Sequence, residues 1–443
     1  MAKIFYARVD EFWRREEKYA YLEERQHVGG VEWQELQPDA KHNWLTGELK
    51  PEFESFVPVG TKEAKKAKGV ESKVIFVLYS YGVLTGRDSW VYAFSRDSLQ
   101  RNVEHLVDLY NTSLNLWERK GQGSDPRKFL LEQNPHMKWT HRLLEAVGNH
   151  HTLEVKHASF RNGLYRPFTK QHLYFNRELN ERVYVLPSIF PTPKTEEENR
   201  GIWIKTGSEW PMFALAVNVI PDALPQGGSQ CFPFYTYDED GANRRENVTD
   251  WALEKFRAQY GDASVSKWDI FHYVYALLHH PLYRERYAAN LKRELPRLPF
   301  APDFRAFAEA GAQLAELHVN YESQPEYPLE RAEQPGAALD WRVERMKLSK
   351  DRRSLVYNDF LTLSGIPAEA FEYRLGNRSA LEWVVDQYRT TTDPRSGITN
   401  DPNRADDPQY IVRLVGQVVH VSVETVKLVR NLAARELLPA AGV

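Results

Sequence analysis

The sequence predicts an α+β fold in which a mostly antiparallel, β-rich part (residues 73–235) precedes a helical part (residues 250–443). Runs rich in Val, Ile, Tyr and Phe lie mainly before residue 235, whereas apolar residues at helical spacing dominate after residue 250. Because strands come first and helices later, a doubly wound parallel sheet is disfavoured. The chain is 42% hydrophobic and 13% aromatic with a net charge of -3, which fits an ordered protein and excludes a generally basic coat for nucleic acid.

The chain begins with an isolated strand signal, IFYARV at residues 4–9, followed by a charged helical stretch at residues 11–26. A lone strand is not stable by itself, so it either pairs far along the chain or is the last strand of a sheet whose other strands are missing. Residues 61–72 are predicted to form a solvated linker; the alternative is that their lysines contact phosphates. Its basic residues are Lys62, Lys65, Lys66 and Lys68.

Residues 73–94 predict the first hairpin of the main domain, with GVLTGRD at its tip. Helical periods follow at residues 98–117 and 141–147. β-Signals return at residues 163–175 and 182–186, which favours a largely antiparallel sheet with one exposed face.

A buried helix is predicted at the start of residues 264–300, since apolar side chains recur there at i, i+3, i+4 and i+7 and Ser266 with Asp269 forms a capping-box pattern. Pro281 should interrupt this helix. The opposite face is predicted to be a solvated basic surface, with phosphate contact as the alternative; it carries Arg284, Arg286, Lys292 and Arg293. Further helices are predicted at residues 250–260, 304–317, 380–390 and 412–437.

Motifs that carry catalysis are not found in the sequence. It contains no phosphate-binding loop, no dinucleotide-binding glycine pattern, no Gly-x-Ser-x-Gly elbow and no Asn/Asp-Pro-Pro-aromatic loop for adenine methylation. Pro38-Asp39 with Glu63-Ala64-Lys65 formally matches a nuclease metal-binding pattern, but the match is rejected because the second segment lacks β-forming residues. No catalytic or metal-binding residue is therefore predicted.

The cysteine content and the absence of a long apolar run favour the cytoplasm. Cys231 is the single cysteine, which rules out an internal disulfide framework and predicts a small buried thiol. No run approaches the length of a membrane span, and the first residues are too charged for a signal peptide.

Several long strings resemble one known family. They include YSYGVLTGRDSWVYAFS, GLYRPFTKQHLYFN, IFHYVYALLHHPLYRERYAANLKRELPRLPF, GIPAEAFEYRLGNRSALEWVVDQY and SGITNDPNRADDPQYIVRLV. From about Trp33 onward the chain resembles the C-terminal specificity region of type ISP restriction-modification enzymes, in which nuclease, helicase-like, adenine methyltransferase and target-recognition domains follow one another.

The resemblance implies a domain organisation and a function. Residues 1–60 would be the C-terminal edge of a methyltransferase-like domain with its connector, residues 61–72 a linker, and residues 73–443 the DNA target-recognition domain. S-Adenosylmethionine, ATP and Mg would belong to upstream domains absent from this chain, so the chain is expected to need no cofactor itself. Its partners would be double-stranded DNA and the methyltransferase, helicase and nuclease domains, in cis or in trans, with no membrane.

A DNA-binding role needs a local basic groove, because the whole chain is acidic. The candidates are Arg87, Arg161, Arg166, Lys170, Arg244 and Arg245. For each, the alternative is a surface charge or a structural pair, such as Arg87 with Asp88. In YRPF, Pro167 favours extended backbone at Arg166, so Tyr165 and Phe168 are expected to face the core and Arg166 the DNA. The alternative is that Arg166 anchors an acidic residue within the protein. The alternatives are an autonomous nuclease or hydrolase with an unfamiliar site, and a helical interaction scaffold.

Overall fold

A computed structural model describes residues 3–9, 13, 15–38, 44, 49–67, 72–121, 124–207, 210–224 and 228–438. It divides into two compact units, Met1–Glu54 and Ser55–Val443. The helices are α1 Arg15–Arg25, α2 Lys62–Lys66, α3 Asp88–Val91, α4 Arg96–Lys120, α5 Pro126–Gln133, α6 His141–Gly148, α7 Pro193–Glu198, α8 Asp250–Tyr260, α9 Lys267–His279, α10 Pro281–Arg286, α11 Ala288–Leu291, α12 Phe304–Val319, α13 Ala380–Gln387 and α14 Tyr410–Ala433.

The strands are short and confirm the predicted α+β class. They are β1 Ile4–Tyr6, β2 Gln34–Leu36, β3 Val57–Pro58, β4 Ser80–Tyr81, β5 Tyr92–Ala93, β6 Phe160–Arg166, β7 Thr169–Tyr174, β8 Gly201–Lys205, β9 Ala214–Val217, β10 Ile220–Pro221, β11 Ser229–Pro233, β12 Tyr235–Thr236, β13 Arg245–Glu246, β14 Arg297–Leu298, β15 Glu330–Glu333, β16 Lys347–Leu348, β17 Ser354–Val356, β18 Leu361–Ser364, β19 Arg374–Leu375, β20 Arg378–Ser379, β21 Thr391–Thr392 and β22 Thr399–Asn400.

The first unit gives the opening strand its partner. β1 pairs antiparallel with β2, with Ile4 opposite Leu36. None of the residues of α1 is buried. The strand therefore pairs within its own unit.

Among the described residues, the second unit contains three four-stranded sheets, in the orders β10-β6-β7-β5, β4-β11-β8-β9 and β15-β18-β17-β16, together with four two-stranded sheets. Only the β10–β6 pairing among these sheets is parallel in the described residues. The hairpin predicted over residues 73–94 is wrong, because β4 pairs with β11 and β5 pairs with β7. The polar stretch between them instead turns at Gly86, where φ is +72°, and forms the short helix α3.

The second sheet is buried on both faces, so the expectation of one exposed face is wrong for it. All residues of β8, β9 and β11 are buried. On one face Phe232 meets Phe76, which contacts Phe271 of α9. On the other, Trp203 belongs to the apolar cluster that also contains side chains of α13 and α14. Helices thus cover both sides of the strands.

The predicted helices are largely confirmed, and α9 is the best example. Ser266 and Asp269 make the reciprocal capping box, and α10 begins at Pro281. α12 packs closely on α9 because Gly311 has no side chain, and a Cβ there would lie 1.9 Å from the carbonyl oxygen of His272. The basic face is only partly solvated, since the Arg284 guanidinium donates to the Met212 carbonyl at 2.8 Å and burial lowers its pKa.

The lysine run lies partly on a short helix. Thr61 caps α2, which carries Lys62, Lys65 and Lys66, whereas Lys68 lies outside the described residues. The Lys65 ammonium lies 4.6 Å from the centre of the Tyr79 ring. The helical setting of Glu63 and Lys65 agrees with rejecting the nuclease pattern, whose Asp39 is outside the described residues.

Three observations concern features that could have carried other functions. Cys231 is buried, and burial raises the pKa of its thiol, as expected for a packed residue. No helix in the described ranges combines the length and the apolar character that crossing a membrane requires. Across those same ranges, no three His, Cys, Asp or Glu residues are grouped so that they could hold a metal ion.

Candidate nucleic-acid interface

Two adjoining cavities of about 620 and 420 Å³ form one polar cleft on the second unit. They share Asp88, Ser89, Arg166 and Asp393, which join them into a continuous surface. The walls come from residues 84–90 and from the segment that carries the β21–β22 hairpin. The polar cleft is therefore assembled from segments about 300 residues apart in the sequence.

A buried ion pair forms the floor of the cleft. Arg166 and Asp222 are 8% and 6% exposed, and Nη1 of Arg166 donates to Oδ1 of Asp222 at 2.8 Å. The same oxygen accepts from the Leu224 amide at 2.8 Å, while the Arg166 guanidinium lies 3.8 Å from the centre of the Tyr165 ring. Burial raises the pKa of Asp222 to about 7, although Arg166 opposes that rise.

A second carboxylate, Asp88, is held at the first residue of α3. It accepts hydrogen bonds from the Thr85 hydroxyl and, at 3.0 Å, from the Tyr165 hydroxyl. Burial, with Asp88 nearby, raises the pKa of Tyr165, so the phenol stays a donor to this carboxylate. Tyr165 thus links the two acidic groups of the floor, because its ring also supports Arg166.

Polar contacts fix the β21–β22 hairpin to the side of the polar cleft that lies opposite it. The Ser396 hydroxyl donates to the Ser89 hydroxyl at 3.2 Å, and the Asn400 amide donates to Oε1 of Gln171 at 3.1 Å. The Phe94 amide donates to Oδ1 of Asn400 at 3.0 Å. These bonds hold the hairpin in one position beside the floor.

Exposed cations line the same cleft. Lys138 and Arg395 are exposed, and the structure gives neither an ion pair within the described ranges. Arg389 is half-buried, with Nη1 3.8 Å from Asp386. Carboxylates, amides and hydroxyls therefore lie in the cleft together with cations, which offers both donors and acceptors to a ligand.

Two of the six sequence-predicted DNA-binding residues, Arg87 and Arg166, line the polar cleft, but both are buried. Arg87 donates to the Leu179 carbonyl and to the Thr140 hydroxyl, and burial lowers its pKa to about 10. The expectation that Arg166 faces outward is wrong, because its charge is paired with Asp222 below the surface. These contacts favour a structural contribution from both arginines, and their contact with DNA stays a prediction.

Arg161 and Lys170 lie outside the cleft lining and also have partners within the protein. Arg161 donates to the carbonyls of Pro191 and Phe190 and pairs with the Glu196 carboxylate, and burial raises the pKa of Glu196 to about 7. Lys170 pairs with Glu322 at 2.7 Å. The two residues connect separate parts of the fold, and their contact with DNA stays a prediction.

Arg244 and Arg245 are exposed beside the β12–β13 pairing. Arg244 pairs with Glu198 at 3.1 Å and Arg245 with Asp238 at 2.7 Å. Exposed pairs of this kind exchange readily with water and with other anions. Of the six residues, these two are the most accessible, and they lie apart from the polar cleft.

Sequence reasoning missed the accessible residues of the cleft. They are Lys138, Arg389, Thr391, Thr392 and Arg395. None of the five lies within a string that carried the family resemblance, because residues 389–395 fall between GIPAEAFEYRLGNRSALEWVVDQY and SGITNDPNRADDPQYIVRLV. Their proximity to residues 84–90 depends on long-range packing that no local pattern reveals.

The family model described as the Type ISP C-terminal specificity domain matches residues 74–414, which is most of the chain. The chain belongs to this family.

Solved structures with similar folds agree with this assignment. The cryoEM structure of a DrdV-DNA complex is 35% identical with a TM-score of 0.83, and the match covers 100% of this chain and 44% of that one. A nuclease-deletion mutant of the Type ISP restriction-modification enzyme LlaGI, in complex with a DNA substrate mimic, is 30% identical with a TM-score of 0.80, and coverage is 96% and 38%. The ATP-dependent Type ISP enzyme LlaBIII bound to DNA is 29% identical with a TM-score of 0.81, and coverage is 96% and 27%.

The chain thus spans less than half the length of each of these proteins. Comparison with curated proteins finds no match.

Proposed function

We propose that this chain recognises a short sequence in duplex DNA through the polar cleft. In this proposal it directs adenine methylation and restriction by methyltransferase, helicase-like and nuclease domains that lie in other segments or in another chain. S-Adenosylmethionine, ATP and Mg would be bound by those domains. The cytoplasm is the location that such a function implies.

The observation that carries the proposal is the distribution of charge in the cleft. Lys138 and Arg395 are exposed and form no ion pair with any residue that the structure describes, so they suit phosphate oxygens, which supply most of the affinity of DNA-binding proteins. Arg389, Thr391 and Thr392 offer side chains that suit base edges, and a two-stranded ribbon such as β21–β22 is of a size that the major groove admits. The three similar structures, all described as bound to DNA or a DNA mimic, support this choice of ligand.

The first test measures binding of the purified chain to a random duplex pool by gel shift, followed by sequencing of the retained DNA. The affinity for the selected duplex is then measured at several salt concentrations. We expect log K to fall linearly with log salt, by about 0.9 per phosphate contact. An affinity that does not change between low and moderate salt would contradict a phosphate-holding cleft.

Substitutions distinguish contacts with phosphates from contacts with base edges. Lys138→Ala and Arg395→Ala should weaken binding to all sequences alike and each reduce the salt slope by about 0.9. Arg389→Ala should cost about 1–3 kcal/mol and relax the sequence preference at one position if its guanidinium reads a base. The matched control is Lys427→Ala, which removes an exposed cation of α14 that does not line the cleft and should change neither quantity.

Two further measurements address the other domains and the rival function. Titration calorimetry with S-adenosylmethionine should show no saturable heat, because the proposal assigns that cofactor elsewhere. Metal-dependent cleavage of plasmid DNA by the purified chain would instead favour a hydrolase.

A further inference from the structure

An exposed aromatic pair lies next to the polar cleft. Tyr81 and Tyr184 are 43% and 39% exposed, and their ring centroids are 5.1 Å apart at an interplanar angle of 41°. Large aromatic rings are normally buried because they remove much apolar area from water, and many other tyrosines of this chain are fully buried. Two neighbouring rings therefore remain available to a flat, apolar ligand surface.

The backbone holds one of these rings in an uncommon conformation. Tyr184 has φ of +49°, a left-handed value that bulky residues rarely adopt. The preceding residues fix this turn, since Arg182 and Leu84 exchange two backbone hydrogen bonds of 2.9 Å. Such conformations persist where the surrounding structure imposes them, and they concentrate at ligand-binding positions.

The pair is continuous with the polar cleft through Leu84, which is 42% exposed and also lines the cleft. Arg182, its backbone partner, is exposed, and no residue in the described ranges forms an ion pair with it. The patch formed by Tyr81, Leu84, Arg182 and Tyr184 thus combines stacking surface, an apolar side chain and a free cation.

We propose that this patch binds a nucleobase that has left the helical stack of DNA held in the polar cleft. In this arrangement Tyr81 and Tyr184 provide the stacking surface, Leu84 fills the gap in the duplex, and Arg182 neutralises the adjoining phosphate. Aromatic stacking offsets the cost of unstacking and accepts any base, because every base presents a flat face. The inference rests on the proposed DNA-binding function and adds to it a distortion of the duplex at one position.

The test uses the full chain and the duplex selected from the random pool, together with a series of duplexes that each carry one mismatch. A mismatched base is already partly unstacked, so the wild-type chain should bind more tightly when the mismatch lies at the patch. The variant Tyr81→Ala/Tyr184→Asn should bind the matched duplex about 5- to 150-fold more weakly and lose the preference for that mismatch. Asn tolerates positive φ, which protects the fold of the variant.

A conservative variant separates stacking from a structural effect. Tyr81→Phe/Tyr184→Phe keeps both rings and should retain the wild-type affinity and mismatch preference. If the Ala/Asn variant binds and discriminates like the wild type, or if no mismatch position tightens wild-type binding, the patch proposal is wrong while DNA recognition stands. If the wild-type chain binds no duplex at all, the proposed function fails and this inference fails with it.

Discussion

Replacing Arg166 by Met would test the interpretation of the cleft floor. The Met side chain keeps much of the apolar stem but removes the charge that faces Asp222. Because the two side chains are 10% and 8% exposed, the carboxylate cannot be solvated fully when its partner is lost. Removing one partner from a buried pair costs about 3–5 kcal/mol, since it leaves an uncompensated charge.

The pH dependence of this loss identifies its cause. Burial already raises the pKa of Asp222 to about 7, compared with 3.8 in the unfolded chain, and loss of Arg166 raises it further. When the pKa of a carboxyl is higher in the folded than in the unfolded chain, its protonation at low pH stabilises the folded chain. This contribution to stability is lost as pH rises through the folded pKa. The variant should therefore lose stability between pH 6 and 8, by at most about 1.4 kcal/mol per pH unit.

The assay is denaturant unfolding of the wild type and the Arg166→Met variant at pH 6, 7 and 8. The double variant Arg166→Met/Asp222→Asn should recover much of the stability and lose the pH dependence, because no buried charge remains. Arg245→Met is the control, since it breaks an exposed pair and should change the free energy of unfolding by less than about 1 kcal/mol. If the Arg166→Met variant were as stable as the wild type at pH 8, the inference that the Arg166–Asp222 pair supports the floor would be refuted.

The remaining predictions use the same measurement. Arg161→Met should also cost about 3–5 kcal/mol, because Glu196 would stay buried without its cation; a loss below 1 kcal/mol would contradict the burial seen here. Burial lowers the pKa of His318 and lowers the pKa of His279 to about 4, so both side chains stay neutral in the folded chain. In the unfolded chain, the same histidines take up protons below the usual histidine pKa of 6.5. Stability should thus fall as pH falls from about 6.5 to 4, by at most about 1.4 kcal/mol per pH unit for each histidine, and His279→Gln should reduce that slope.

The helices were predictable because their signals are local. Ser266, Asp269 and Pro281 fix the ends of α9 and α10 through contacts within a few residues. Burial of α9 extends beyond its apolar stripe, since every residue from Tyr273 to His279 is buried. α8 also begins and ends at the predicted residues 250 and 260, where Thr249 caps its first turn and Gly261 adopts the left-handed conformation.

The strand pairings and the site were not predictable in the same way. Residues 73–94 have the composition of a hairpin, but β4 and β5 find partners more than 70 residues away in separate sheets. Arg87 consequently lies under the surface and not at an exposed tip. A sequence shows that an arginine is charged, but its burial depends on which distant acid or carbonyl the fold brings to it.

The organisation of the cleft separates support from recognition. Arg166 and Asp222 form a buried floor, and Ser89, Gln171 and Asn400 use their polar groups to fix the hairpin beside it. Groups already held in place lose little conformational entropy when a ligand binds, so the exposed side chains of the hairpin can contact DNA from a preformed wall. Substitutions at those exposed positions should change which sequence is bound and leave the fold intact, whereas substitutions in the floor should impair binding only by destabilising the domain.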